Sequence, residues 1–237
     1  MTTLTNKSLS IFFPVYNEAE NIKKVITDTL SIADELSPDI EIIIVNDGSS
    51  DNTEKIVNEL SKYDSRIRII NHPCNKGYGA ALQSGFRAAE KDLIFYTDGD
   101  GQFSIFDLRE LLQSKMDADV ISCYRMNRKD PWHRILNAKI FEFCVWIIFG
   151  LKIKDPDCAF KLYCRDVVDE ISMTSQGAMI DVEMLLQAKR YGFQIMQKGV
   201  NHYPRRLGSA SGANFKVIFK AIVETVQLWW RVGGRFS

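Results

Sequence analysis

Asp92-Leu93-Ile94-Phe95-Tyr96-Thr97-Asp98-Gly99-Asp100-Gly101-Gln102 is the stretch whose reading decides the fold. A short, nearly continuous apolar run reads as a strand buried on both faces of a parallel sheet. The alternation of carboxylate and glycine after it reads as the loop at that strand's carboxyl end. Three earlier segments share this pattern. Ser8 to Pro14 is one, and Ile40 to Val45 is another, ending in Asn46-Asp47-Gly48-Ser49-Ser50-Asp51. Arg66 to Asn71 is the third, followed by the glycine-bearing loop Asn75-Lys76-Gly77-Tyr78-Gly79. Between them, helices are expected from Asn17, with Ile22, Val25, Ile26 and Leu30 on one face, from Thr53 to Lys62, and from Ala80 to Ala89. The alternation predicts an α/β fold, a doubly wound, mostly parallel sheet flanked by helices, whose ligands bind beyond the carboxyl ends of the strands. Every polar cluster just named falls at such an end.

Beyond Gln102 the rhythm loosens. Asp107 to Met116 reads as a helix and Ala118 to Cys123 as a strand. Arg125 to Arg134 reads as a basic, proline-containing loop. A strongly apolar helix is expected over Leu136 to Phe149 and an amphipathic one over Met179 to Tyr191. A basic segment, His202 to Gly212, precedes a last helix from Asn214 to Arg231. With no internal repeat, the reading is one domain over residues 1–212 and a helical C-terminal extension over residues 213–237.

The formal net charge is zero, which argues against a general nucleic-acid binder and makes any anion site a local one. The five cysteines show neither C-x-x-C pairing nor zinc spacing, so they read as reduced, mostly buried thiols of a cytosolic protein. Residues 1–8 lack a signal-peptide core. No stretch reaches the roughly 20 apolar residues of a spanning helix. A cytoplasmic chain, soluble or peripheral on a membrane, is the expectation.

Asp98 and Asp100 are two carboxylates at i and i+2, with Gly99 between them to let the backbone approach closely. That arrangement suits a hard divalent cation, Mg²⁺ or Mn²⁺, which takes one or two carboxylates plus phosphate oxygens. Gln102 adds a neutral oxygen. The plainer reading is a solvated turn that merely favours Asp and Gly. Asp47, one strand over, is placed to accept hydrogen bonds from a base or a ribose hydroxyl, or to serve the turn, with Ser49, Ser50 and Asp51 capping the helix that follows. Lys76 with Gly77 and Gly79 offers a cation and backbone amides near a helix start.

Taken together, Phe13 to Glu18 (FPVYNE), Val45 to Thr53 (VNDGSSDNT), Asn75 to Phe86 (NKGYGAALQSGF) and Asp98 to Gln102 (DGDGQ) resemble, in order and spacing, the family-2 glycosyltransferases of the GT-A fold. The resemblance extends to polyprenyl-phosphate glycosyltransferases such as the dolichol-phosphate mannose synthases. It does so through Tyr124-Arg125, Asp155-Pro156-Asp157-Cys158-Ala159-Phe160-Lys161 and Arg205-Arg206-Leu207-Gly208. The chain departs from that pattern at Asn46, where Asp is usual, at Ala159, where Gly is usual, and at Cys158, where Ser or Thr is common. The resemblance implies that Pro14, Tyr16, Glu18 and Asp47 line a nucleoside pocket with Lys76 beside it. It implies that Asp98, Asp100 and Gln102 form a metal–diphosphate site, and that Arg125, Arg134 and Arg205 hold an acceptor phosphate or the donor diphosphate.

The implied reaction is an inverting displacement at the anomeric carbon of a nucleoside-diphosphate sugar, GDP-mannose, UDP-glucose or a UDP-N-acetylhexosamine, with cations stabilising the departing diphosphate. A lipid-phosphate acceptor is already ionised and needs only arginines to orient it. A sugar hydroxyl needs a base, for which Asp181 is the candidate and Glu183 the second. The apolar helix over Leu136 to Phe149, and Trp229-Trp230 beside Arg231 and Arg235, favour a lipid acceptor and peripheral membrane association. The plainer reading packs both helices in the core or in a contact between copies. A non-catalytic sugar-nucleotide-binding protein is the alternative from another class. A dinucleotide-dependent oxidoreductase is disfavoured, because no G-x-G-x-x-G follows the first strand.

Overall fold

The four apolar runs fold as parallel strands: β1 (Leu9–Val15), β2 (Ile40–Asn46), β3 (Ile67–Asn71) and β4 (Leu93–Thr97). They are seen in a computed structural model that describes residues 3–114, 118–128, 132–205 and 215–234. β1 lies between β2 and β4, with Phe12 opposite Ile43 on one side and Tyr96 on the other. Side chains alternate between two cores, as a period of two requires. Leu9, Ile11, Phe13 and Val15 face one way, against α1 (Ile22–Leu36), α2 (Thr53–Ser61) and α4 (Leu108–Gln113). Phe12, Ile43, Val45 and Tyr96 face the other, against α3 (Tyr78–Ala88) and α7 (Ile180–Arg190). Each Leu, Ile or Phe fully withdrawn from water here contributes about 1.5–3 kcal/mol before chain entropy is set against it.

The second half completes the sheet in a way that the sequence pattern did not show. β5 (Val120–Met126), β6 (Phe160–Cys164) and β7 (Ile195–Asn201) extend it to the order β3-β2-β1-β4-β6-β5-β7. β6 is inserted antiparallel between β4 and β5, while β7 runs parallel to β5 at the edge. α5 (Trp132–Phe149) begins earlier than the expected Leu136, so Arg134 sits in its first turn rather than in a loop. α6 (Arg165–Glu170) follows β6, and α8 (Phe215–Arg231) is the last helix. The expected boundary between residues 212 and 213 lies outside the described residues. Leu228 and Val232 nevertheless join the same core as Ile180, Met184 and Leu185 of α7.

Two further expectations need correction. α1 starts at Ile22, not Asn17: Asn17 has a left-handed backbone (φ 56) that interrupts a helix. Ser49 and Ser50 do not cap α2. The Ser49 hydroxyl accepts from the Asn17 amide, and the Ser50 amide donates to Asn17 Oδ1. Asp51 alone serves the helix start, accepting from the Thr53 amide at 2.9 Å. The cysteines are all free, as expected, with Cys123 and Cys158 buried but Cys74 and Cys144 exposed.

Candidate active site

Asp98 and Asp100 stand at the end of β4. A Cβ on Gly99 between them would fall 2.4 Å from Val15 Cγ1, so only glycine lets the loop lie against β1. Gln102 donates its amide to Asp100 Oδ1 at 3.0 Å, tightening the turn around the pair. Among the described residues no hydrogen bond or ion pair engages the Asp98 carboxylate. Burial, reinforced by the charges of Asp100 and Asp181, pushes its carboxyl well above the usual range. Burial also raises Asp100, partly offset by the Gln102 amide and Arg205. Two half-buried carboxylates, both made harder to ionise by burial and one of them also by its neighbour, form a site whose charge suits a cation.

No cluster of three or more His, Cys, Asp or Glu side chains arranged for a metal occurs among the described residues. A cation here would therefore lean on ligand oxygens outside the protein, which is how Mg²⁺ and Mn²⁺ are held at diphosphates.

Arg205, after β7, reaches this pair from across the cleft. Its Nη1 lies 3.4 Å from Asp100 Oδ2, and its Nη2 donates to Glu18 Oε1. Glu18 is buried in the loop before α1. Its backbone oxygen accepts from the Asn21 and Ile22 amides, so the residue that starts the helix also anchors the arginine.

Asp47, at the end of β2, is almost wholly engaged by its own fold. Oδ1 lies 2.7 Å from His72 Nδ1 and accepts the Lys76 amide at 2.9 Å, and Oδ2 accepts the Gly77 amide at 2.9 Å. It shapes the Asn75–Gly77 loop while still facing the cleft. Lys76 enters only through that amide. Its side chain is exposed and does not line the cleft.

At the other end, Arg125 leaves β5 with its charge already matched. Nε and Nη2 donate to the two oxygens of Asp155 at 2.7 and 2.6 Å, and Nη2 also reaches Asp157 at 2.9 Å. Burial alone would raise the Asp155 carboxyl, but the Arg125 hydrogen bonds and charge outweigh it and hold it far below the usual range. Asp155 is held for this in a left-handed backbone (φ 51), its amide donating to Glu142 of α5 at 3.0 Å.

Asp181, in the first turn of α7, is 1% exposed. Its Oδ1 accepts Lys161 Nζ at 2.6 Å and the Tyr96 hydroxyl. Lys161 is fully buried and donates also to the Cys158 carbonyl at 2.6 Å. Glu183 lies outside the cleft, accepting the Thr174 and Ser175 amides at 3.1 and 2.7 Å.

Pro14, Tyr16, Glu18, Asp47, Asp98, Asp100, Gln102, Arg125, Arg134, Asp181 and Arg205 thus line one cleft of about 850 Å³, at the carboxyl ends of β1, β2, β4 and β5. Lining residues to which the sequence assigned no role include Tyr78, Asp157, Gln176, Gly177, Ala178 and Glu224. Tyr78 and Asp157 sat inside quoted motifs without a role. Glu224 lies on α8, with no local signal to mark it.

A doubly wound sheet with one inserted antiparallel strand, and a carboxylate pair at the end of its fourth strand, defines the GT-A class of sugar-nucleotide-dependent folds. Glucosyl-3-phosphoglycerate synthase from Mycobacterium tuberculosis, solved with Mn²⁺ and UDP-glucose, shares this architecture. Its TM-score is 0.71 at 18% identity, over 96% of this chain and 79% of that one. Residues 10–172 match the model of Glycosyl transferase family 2, and the chain belongs to that family. It is 30% identical over 211 residues to a dolichyl-phosphate beta-glucosyltransferase of Trichomonas vaginalis, covering 81% of this chain and 64% of that one. It is 26% identical over 213 residues to an undecaprenyl-phosphate 4-deoxy-4-formamido-L-arabinose transferase of Proteus mirabilis, covering 89% and 64%. The chain therefore spans 64% of the length of each of these relatives.

Proposed function

We propose that this chain transfers a hexose, with inversion, from a nucleoside-diphosphate sugar to a polyprenyl phosphate, and that the transfer depends on Mg²⁺ or Mn²⁺. The observation that carries the acceptor assignment is the state of Asp181. Its charge is taken up by Lys161 within the fold, so a proton accepted there would strand a buried ammonium without its counter-charge. An acceptor that arrives ionised needs no such base. Both relatives are, by name, transferases to polyprenyl phosphates, which supports the same reading.

In this account Pro14, Tyr16 and Asp47 hold the nucleoside, and Asp98, Asp100 and Gln102 hold the metal. The bound cation supplies electrostatic stabilisation of the departing diphosphate. Arg205, paired with Glu18 and Asp100 in this structure, turns its guanidinium to the diphosphate oxygens once Asp100 is otherwise neutralised. Arg125 and Arg134 orient the acceptor phosphate for attack at the anomeric carbon. Asp155 and Asp157 fix the Arg125 fork, so its geometry is set before the acceptor enters.

Residues 1–212 form the catalytic domain in this reading, and residues 213–237 are the extension that completes its wall. Access to a lipid acceptor follows from α5. Trp132, Leu136, Ile140, Phe143 and Ile147 are 45–76% exposed along one face, while Val145 and Phe149 are buried in the core. With Trp229 and Trp230 of α8 also exposed, the chain presents apolar surface for peripheral attachment to the cytoplasmic face of a membrane. No helix among the described residues is long and apolar enough to cross one.

The test is transfer from radiolabelled sugar nucleotides, with Mn²⁺, to a short polyprenyl phosphate and to the matching polyprenol. Product with the phosphate alone is expected, with Asp181→Asn lowering kcat less than about tenfold. Transfer to a hydroxyl acceptor, with a loss of about 10²–10⁴-fold in Asp181→Asn as for a removed general base, overturns the assignment.

A further inference from the structure

His72 is a buried, titratable side chain that the transfer chemistry leaves without a task. It stands just past β3, and both of its ring nitrogens are engaged. Nδ1 lies 2.7 Å from Asp47 Oδ1, and Nε2 lies 2.9 Å from Ser84 Oγ of α3. The His72 side chain is 6% exposed and that of Asp47 5%, so the contact is largely shielded from water and correspondingly strong. The backbone beneath both residues is tied down separately. The His72 amide donates to the Asn46 carbonyl at 2.9 Å, and the Asp47 amide donates to the Val15 carbonyl at 2.9 Å. A Cβ on Gly48, whose φ is 71, would fall 2.4 Å from the Cys74 carbonyl carbon. Glycine is what lets the loop after β2 lie against the loop after β3.

Asp47 Oδ1 also accepts the Lys76 amide. An ionised carboxylate accepts and never donates, so Nδ1 carries the ring hydrogen. In the neutral ring Nε2 then accepts from the Ser84 hydroxyl, and the hydrogen bonds run one way, from Ser84 through His72 to Asp47. A carboxylate offers about four lone-pair positions. His72 and Lys76 fill the two on Oδ1, and Gly77 fills one on Oδ2. The position left belongs to Oδ2 of a residue that lines the cleft. Two of the three donors are amides of the Asn75–Gly77 loop. Among the described residues, His72 alone holds the carboxylate from outside that loop.

We propose that His72, backed by Ser84, is a positioning residue for donor binding. It fixes the Asp47 carboxylate so that one Oδ2 lone pair is presented to a single N–H or O–H donor of the nucleoside, an acceptor set before the ligand arrives. The inference rests on the proposed function, in which Asp47 holds the nucleoside, and it adds a residue that acts on the ligand only through Asp47.

The experiment is calorimetric titration of UDP and GDP, with Mn²⁺, into the wild-type chain and into His72→Leu, His72→Asn, His72→Gln, Ser84→Ala and Asp47→Asn. Melting temperatures and transfer kinetics are measured beside it. His72→Leu is expected to weaken the preferred nucleoside diphosphate about 10- to 100-fold, the range of hydrogen bonds to a charged group. The donor KM should rise by the same factor, with kcat and the acceptor KM moving less than about threefold. Asn carries an amide N–H close to the place of Nδ1–H, whereas Gln reaches toward Ser84. His72→Asn should therefore return affinity to within about threefold of the wild type, and His72→Gln should not. Ser84→Ala is expected to cost about two- to tenfold, as for a neutral hydrogen bond. Equal affinity in the Asn and Gln variants, unchanged affinity in a folded His72→Leu chain, or a loss carried by kcat overturns the assignment. The Asn–Gln comparison decides the matter where His72→Leu does not fold. A wild-type chain that binds neither UDP nor GDP overturns the proposed function itself. Binding by the wild type that Asp47→Asn leaves unchanged removes Asp47 from the nucleoside site, and His72 with it.

Discussion

At the β1–β4 end of the cleft, burial raises the carboxyls of both Asp98 and Asp100, and the charge of Asp100 raises Asp98 further. At the β5 end, Arg125 is already matched by Asp155 and Asp157. The first arrangement gives up stability to keep a charge available. The second uses charge to hold geometry, and most of its electrostatic attraction is consumed inside the protein. The difference separates a place where a ligand completes the electrostatics from a place where the protein has completed them beforehand. The proposed function places the metal and diphosphate at the first and the orientation of an incoming phosphate at the second.

The contrast breaks most visibly at the carboxylate pair. Asp98→Asn is expected to lower the turnover of sugar transfer by about 10²–10³-fold, the scale of removing a group that stabilises charge on the departing side. Its melting temperature without metal should not fall, because a buried charge repelled by Asp100 and Asp181 has been removed. A stability loss as large as the activity loss would place Asp98 in the scaffold instead.

Arg125→Met should do the reverse. It leaves the buried Asp155 with only Arg128, 3.3 Å away, as a cationic partner and is expected to cost up to about 3 kcal/mol in denaturant unfolding. Binding of a nucleoside diphosphate with Mn²⁺ should survive wherever the variant is folded. Lost nucleotide binding in a folded Arg125→Met chain would merge the two ends into one.

pH separates the ends by sign. The raised Asp98 carboxyl contributes stability that is complete below its unfolded value near ~4, and that is lost as pH rises through the folded value. The depressed Asp155 carboxyl contributes stability that is present above ~4, and that is lost as pH falls through its folded value. Metal-free unfolding curves should therefore show Asp98→Asn gaining on the wild type as pH rises. Asp155→Asn should lose less than the wild type on acidification below ~4. A common slope for both variants would deny the distinction.

The smallest effect is expected at Lys76. Its exposed side chain stands outside the cleft, and only its amide serves Asp47. Lys76→Ala should change the donor KM by less than about twofold, since surface charges at this range contribute little. A large rise would show that the loop turns the side chain inward when a nucleotide binds.

The same division describes what the sequence made legible. Asp47, Asp98, Asp100 and Gln102 follow apolar runs directly, so a strand ending and the chemistry it presents could be read from adjacent residues. β6 could not be read this way. Phe160–Cys164 is short, and Lys161 interrupts it with a charge that reads as solvent-facing. Its partner Asp181 is 20 residues away, and only the fold reveals that the lysine is buried. β7 carries Gly199 and three polar residues at a half-buried edge, too weak an alternation to mark a strand. Asn17 looked like a helix start because Asn and Glu favour first turns, whereas its side chain serves the Ser50 amide instead. Glu224 had no signal at all. It sits on a helix whose apolar spacing reads as packing, and only the fold brings that helix to the cleft.

The most direct test of the central proposal, that Asp98 and Asp100 would hold a divalent cation at the donor diphosphate, is the melting temperature of the chain with UDP or GDP, with and without Mn²⁺. Measured on the wild type and on the Asp98→Asn, Asp100→Asn double variant, it reads binding to the native state by linkage. A nucleoside diphosphate is expected to stabilise the wild type only when Mn²⁺ is present, and to leave the double variant unmoved. Stabilisation that is equal without Mn²⁺, or that persists in the double variant, would contradict it.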